Sequence, residues 1–181
     1  MIYFTGDQHF GHANIIKHCN RPFSSADEMD KFLLEKWNVR IKKQDIVYIL
    51  GDLFFRNAVP CTEYLQKMNG KKHLIIGNHD KGWIKKVDLP SYFETVLPMA
   101  EISEGTRKLV LCHYPMMTWE GIAKGAYMIH AHIHNNTNAD YFPLLQKTPN
   151  ILNAGVEIND YQPVGFEELV ENNRAFKESI E

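Results

Sequence analysis

The chain of 181 residues has only three cysteines, Cys19, Cys61 and Cys112, and none stands at CxxC spacing. A disulfide framework and a thiolate zinc site are both excluded, which leaves buried reduced thiols. Long apolar runs are missing too, since charges interrupt each one well before the ~20 residues that a spanning helix needs. Residues Met1 to Gly11 lack the basic and long apolar regions of a signal peptide, so the expectation is a cytoplasmic protein without a membrane partner. Excess positive charge is absent as well. Lys and Arg number 20 against 22 Asp and Glu, a net charge of -2, which excludes a surface built to coat nucleic acid or an anionic membrane. Lys42-Lys43, Lys71-Lys72 and Lys85-Lys86 read as solvated faces, which argues against long nucleic acid as a partner. No repeat, low-complexity segment or Pro/Gly-rich linker divides the sequence. With 44% hydrophobic and 23% charged residues the balance is globular, and one domain over residues 1–181 is expected, of undetermined oligomeric state.

Histidine, by contrast, is plentiful: there are nine, several beside Asp, Asn and Gly. Their context is a series of apolar runs. Met1–Thr5, Ile46–Leu50, Leu74–Ile76 and Leu109–Cys112 each end at a polar residue and read as buried strands. Between the first two, Ser24–Ile41 predicts an amphipathic helix: Ser25 caps it, Glu28 follows three residues on, and Met29, Phe32, Leu33, Trp37 and Ile41 recur at helical spacing. Shorter helices are predicted over Cys61–Met68, stopped by Asn69-Gly70, and over Phe166–Lys177. Strand, helix and strand in succession imply an α/β layered fold with parallel pairing in the first half. The second half, Ile102–Ala154, reads mostly as strands and loops, with Lys108–His113, Tyr127–His132 and Ile151–Val156 as strand candidates. A two-sheet core flanked by helices accommodates both halves.

Polar clusters follow the strand candidates: Gly6-Asp7-Gln8-His9, Gly51-Asp52, Gly77-Asn78-His79-Asp80, His113, and His130-Ala131-His132-Ile133-His134. The carboxyl ends of strands in open α/β sheets form the crevice where ligands bind, so these distant groups can converge. Asp7 and His9, like His132 and His134, are two residues apart and share a face of extended backbone. The clusters supply two carboxylates (Asp7, Asp52), an amide oxygen (Asn78) and four imidazoles (His9, His113, His132, His134). That set is too rich for one tetrahedral ion and suits two divalent cations of the manganese, iron, cobalt, nickel or zinc type. Two such ions favour in-line displacement at phosphorus, bridged by a carboxylate, and after subtracting Asp7 and Asp52 they keep a positive local charge that attracts an anionic substrate.

The ordered pattern Asp-x-His, Gly-Asp, Gly-Asn-His-Asp, His, His-x-His over residues 7 to 134 resembles the calcineurin-like metallophosphoesterase superfamily, and Asn153-Ala154-Gly155 resembles the Asn-x-Gly turn that often follows. The resemblance implies a four-layer α/β/β/α sandwich of two mixed sheets flanked by helices. It implies that Asp7, His9, Asp52 and His134 hold one metal, with Asp52 bridging to a second held by Asn78, His113 and His132. His79 matches the catalytic histidine, placed to stabilise charge or protonate the leaving oxygen. Arg56 matches a phosphate-binding arginine, whose fork suits phosphate. Two positions depart from the pattern. Ala131 stands where glycine is usual, and Phe55 stands where the protein phosphatase branch carries an aspartate that orients the catalytic histidine, which weighs against protein phosphatase activity. Asp80 is the neighbouring carboxylate that could orient His79 instead.

The expected activity is therefore hydrolysis of phosphate esters, diesters favoured over monoesters, by attack of a metal-bound hydroxide on a small phosphorylated or nucleotide-like substrate. The rivals are a metal-binding scaffold of the same fold and a nuclease using the same two-metal site. Other candidates are weaker. His12 either faces the metals, where it would be substrate-binding, or simply starts a helix. His130 reads as a packed sheet residue, Arg21 as a surface residue. Tyr114, Met116, Met117 and Trp119 line a pocket or belong to the core.

Overall fold

The computed structural model describes residues 1–55 and 60–180. In chain order its elements are β1 (Ile2–Thr5), α1 (Ala13–His18), α2 (Ala26–Arg40), β2 (Ile46–Ile49), α3 (Cys61–Lys67) and β3 (Lys71–Ile75). They continue with β4 (Phe93–Leu97), β5 (Met99–Glu104), β6 (Arg107–Cys112), β7 (Tyr127–His130), α4 (Phe142–Lys147), β8 (Ile151–Asn153) and α5 (Phe166–Glu178). Two four-stranded sheets result, ordered β1-β2-β3-β4 and β5-β6-β7-β8.

Successive strand residues face opposite sides, and here both sides are apolar, as in sheets covered on each face. Tyr3, Val47, Ile49 and Leu74 enter an outer core closed by Ile15 of α1, Met29, Leu33 and Trp37 of α2, and Leu65 of α3. Phe4, Leu50 and Ile75 turn the other way and meet Leu109, Leu111, Ile129 and Leu152 of the second sheet. Val110, Met128 and Ile151 face a third core closed by Phe142 and Leu145 of α4. Three cores between four layers make the α/β/β/α sandwich that the sequence pattern implies.

Helix α2 begins where its cap predicts: the Ser25 hydroxyl accepts from the Glu28 N–H at 3.2 Å. The Glu28 carboxylate reaches back one residue further than the usual reciprocal cap, accepting from the Ser24 N–H at 2.8 Å. The strands of the first sheet pair in parallel throughout. The mixed character expected of both sheets is full only in the second, where β5 and β6 are antiparallel; in the first it is one antiparallel bridge from Phe4 to Val164. β4 and most of β5 escape the sequence reading because they are edge strands with largely exposed faces, and so lack an apolar run. Among the lysine pairs Lys72 is the exception to solvation, buried with its ammonium donating to the Met68 and Gly70 carbonyls. Among the described residues no helix is long and apolar enough to cross a membrane.

β7 ends at His130, which is buried as expected, its Nδ1–H donating to the Ala131 carbonyl at 2.8 Å. Burial disfavours the charged ring and lowers its pKa from 6.5 to about 4. The unfolded chain therefore binds the extra proton first, and stability is lost as pH falls below 6.5. Chemical denaturation of the metal-free protein should show about 2 kcal/mol less stability at pH 5 than at pH 6.5 from this residue. His130→Gln, which keeps a side-chain donor, should flatten that part of the slope; an equal slope in the variant contradicts the assignment.

Candidate metal centre

β1, β2 and β3 run parallel in one sheet, β6, β7 and β8 in the other, and the residues leaving these strands meet at one end of the sandwich. Backbone hydrogen bonds lock the junction. Asp7 N–H donates to the Gly51 carbonyl, Ala131 N–H to that of His113, and Ala154 N–H to that of His130, while Gly6 pairs with Gly155. β7 stops two residues short of its sequence-based end, where the backbone turns into the left-handed region at His132. Asp7, His9, Asp52, His132 and His134 all have φ between 52° and 71°. Each such conformation costs a non-glycine residue on the order of 1–3 kcal/mol, and the strain collects on five of the seven candidate ligands.

Close approach decides where glycine must stand. A Cβ on Gly51 would lie 2.6 Å from His113 Nδ1 and 2.7 Å from the Gly77 nitrogen. One on Gly77 would lie 2.2 Å from Asp52 Oδ1. Ala131 is accommodated because the facing residue is Gly6, on which a Cβ would come within 2.7 Å of the Ala131 methyl.

Asp52 is buried at the centre. Its Oδ1 accepts the His79 N–H at 2.8 Å, and its Oδ2 lies 3.4 Å from His113 Nε2 and 3.6 Å from His9 Nε2. On one side Asp7, His9 and His134, and on the other Asp52, His113 and His132, each present ligand atoms within 4.8 Å of one another. Each trio could hold a cation, and His9, Asp52 and His79 form a third such group between them. The amide of Asn78, with Oδ1 at 3.1 Å from His113 Nε2, joins the second trio. All seven candidate ligands and His79 are thus brought together.

The donor atoms fit a positive charge. His113 Nδ1 faces the Leu50 carbonyl at 2.7 Å and must donate to it, so Nε2 turns toward the Asn78 and Asp52 oxygens. A proton or a cation has to sit among them, and burial notwithstanding, Asp52 and Asp7 raise the pKa of His113. Among the described residues six buried side-chain atoms have no hydrogen-bond partner, and four of them, Asp7 Oδ1 and Oδ2, His9 Nε2 and Glu157 Oε2, belong to this end of the molecule. Burial raises the Asp7 pKa to about 6, against the pull of His134. Burial also opposes charge on His134, but the carboxylates of Asp7 and Glu157 outweigh it and lift its pKa to about 11.

His12 lies at the start of α1 and lines the same cleft. Its Nδ1 is 3.3 Å from His9 Nδ1, its ring stacks on Phe55 with centroids 3.6 Å apart, and burial lowers its pKa to about 4. Arg56 lies outside the described residues. Asp80 does not orient the His79 ring: its carboxylate accepts from the Asp52, Leu53 and Gly77 N–H groups and from Trp83 Nε1, all at 2.8–3.0 Å. It clamps the two turns instead. Trp119 is core, with Nε1 donating to the Ala126 carbonyl, and Met116 packs beside it, whereas Tyr114 stands over His132 with ring centroids 4.6 Å apart. Met117 is exposed.

Arg21 is not on the surface. Its buried guanidinium donates to the Asp7 and Gln8 carbonyls at 2.6 and 2.8 Å and to Glu157 Oε1 at 2.6 and 3.0 Å. Glu157, which sequence reasoning missed, accepts from His134 Nδ1 at 2.9 Å on the same oxygen. The one signal available was its place two residues after Asn153-Ala154-Gly155, since that turn returns to His134 through the Asn153 Nδ2 donor at 2.7 Å.

A calcineurin-like phosphoesterase family model matches residues 1–149. The chain is similar to an uncharacterized protein of Methanocaldococcus jannaschii, 37% identical over 171 residues, which cover 93% of this chain and 89% of that one. It is also similar to the gene 66 protein of Mycobacterium phage D29, 27% identical over 159 residues, with 74% and 78% covered. Among solved structures it resembles a protein of unknown function from Aquifex aeolicus, with a TM-score of 0.72 at 28% identity over 94% of this chain and 98% of that one.

Two substitutions test the geometry. Gly77→Ala drives a methyl into the Asp52 carboxylate, so calorimetric titration should show manganese affinity reduced by about tenfold or more while far-UV dichroism is kept. Unchanged affinity would contradict the close approach. For Asp7, a folded pKa of about 6 above the ordinary 3.8 means that stability falls as pH rises through that window and the full cost is borne above pH 6. Asp7→Asn should therefore stabilise the metal-free protein at pH 7.5 by about 1–3 kcal/mol in urea. It should also lose the rise in Tm that manganese gives the parent.

Proposed function

The chain belongs to the calcineurin-like phosphoesterase family, and on that premise we propose that it is a hydrolase of small phosphate esters working through two divalent cations, manganese, iron, cobalt, nickel or zinc. The observation that carries the reading is the position of Asp52, whose Oδ2 stands between His9 and His113 and so between the two ligand trios. In this reading Asp7, His9, Asp52 and His134 hold one ion and Asp52, Asn78, His113 and His132 the other. When bound, such cations supply Lewis-acid charge to phosphate oxygens and make water acidic enough to act as a nucleophile near neutral pH.

The remaining work falls to the side chains. The backbone N–H of His79 is tied to Asp52 Oδ1, which fixes this imidazole beside His9, ring centroids 5.1 Å apart, in the wall of the cleft. His79 is not needed as a ligand and is placed to give a proton to the departing oxygen or to steady its charge. His12, neutral above pH 4, is stacked on Phe55 and abuts the His9 ring through its Nδ1, adding no charge of its own.

The cleft of about 810 Å³ supports the substrate class. It is lined by histidines and by Asn20, Asn135, Asn136, Asn138 and Tyr141, and no lysine or arginine is among the described lining residues. Amide and hydroxyl groups suit a neutral hydrogen-bonding leaving group such as a sugar or nucleoside. A diester brings one negative charge to that wall and a monoester up to two, and this reading therefore favours diesters.

The test is hydrolysis of bis-p-nitrophenyl phosphate and p-nitrophenyl phosphate by protein whose manganese content has been measured, with single-stranded DNA as a third substrate. The diester should be turned over faster than the monoester. Asp52→Asn should abolish both, and His79→Ala should lower kcat by about 10²–10⁴-fold with metal content unchanged. No hydrolysis of the three by loaded protein sinks the enzyme reading in favour of a scaffold, and preference for the polymer makes it a nuclease.

A further inference from the structure

Two of the candidate ligands have an imidazole nitrogen committed to a fixed acceptor. His113 Nδ1 is tied to the Leu50 carbonyl, and His134 Nδ1 is tied to a side chain, Glu157. That carboxylate is itself immobilised: its Oε1 takes Nε and Nη2 of Arg21, and the same guanidinium grips the Asp7 and Gln8 carbonyls. Arg21 and Glu157 are 136 residues apart in sequence and both side chains are buried. A buried ion pair usually costs as much in desolvation as it returns, so its retention points to a positional role. The free Oε2 is oriented as well, since it and Asp7 Oδ2 both lie 3.4 Å from where a Gly155 side chain would begin.

We propose that Glu157, braced by Arg21, is the positioning residue of the first cation site: it holds His134 in the tautomer protonated at Nδ1, leaves the Nε2 lone pair for the cation, and couples that ring to the Asp7 turn. The proposal rests on the two-cation reading above. A carboxylate or carbonyl on the far nitrogen of a metal-binding imidazole raises its basicity and fixes its plane, and losing one typically lowers metal affinity 10–100-fold. Glu157 serves the first site as the Leu50 carbonyl serves the second. The difference is that a side-chain carboxylate can be altered without touching the backbone.

The experiment is calorimetric titration of the full chain with manganese, joined to ¹⁵N long-range correlation spectra of the protein loaded with zinc, a diamagnetic ion, which read the protonated nitrogen of His134. Glu157→Ala should weaken one cation by about 10–100-fold, change the other by less than about threefold, and leave His134 a mixture of tautomers. Glu157→Gln keeps an acceptor for Nδ1 and should recover most of the affinity and the single tautomer. Arg21→Met should resemble Glu157→Ala. If Glu157→Ala does not fold, judged by far-UV dichroism, the Gln and Met variants carry the comparison. Wild-type affinity for both ions with an unchanged His134 tautomer in Glu157→Ala and Arg21→Met overturns the proposal. So does an equal loss at both sites, which marks a general structural role. Failure of the parent to bind any cation would instead overturn the reading of the site itself.

Discussion

A carboxylate withdrawn from water between two imidazoles is the constraint on which the rest depends. Asp52 has one oxygen engaged by the His79 N–H and the other facing His113 and His9 at distances too long for strong hydrogen bonds. Bare, such an arrangement is poor chemistry: acceptors and ring nitrogens crowd together with fewer donors than they need. With positive charge supplied, the same crowding becomes a ligand set, which is why the unsatisfied atoms of Asp7, His9 and Glu157 gather at this end of the fold.

The protein commits stability to that arrangement. Left-handed backbone at Asp7, His9, Asp52, His132 and His134 persists because the surroundings overdetermine it. Asp80 ties the Asp52 and Gly77 turns into one unit, Gly51 and Gly77 let those turns touch, and the Asn153 segment reaches back to the His134 carbonyl. The three apolar cores bring six strand ends to one edge, and the local polar clamps set the last ångström.

Much of this was legible in order along the chain. Apolar runs ending in Gly-Asp, Gly-Asn-His-Asp and His-x-His announce strands that deliver candidate ligands, and Ser25 with Glu28 announces α2 to within two residues. Both signals are local, one set by strand alternation and the other by cap geometry. The edge strands β4 and β5 left no such trace, because a half-exposed strand carries no apolar run. Asp80 looked like a partner for the His79 ring and proved to be a backbone clamp, and Ala131 looked like a lapse from glycine until Gly6 was seen to face it.

By itself, then, the sequence determined where most strands and helices fall and which polar side chains stand at the strand ends, since periodicity and residue type are properties of short stretches of chain. The tertiary structure alone decided what stands behind them. Arg21 reads as a surface cation and Glu157 as an ordinary acid, and nothing local joins residues 136 positions apart. Only packing, which removes both from water and pairs them beside His134, turns them into a brace for the site.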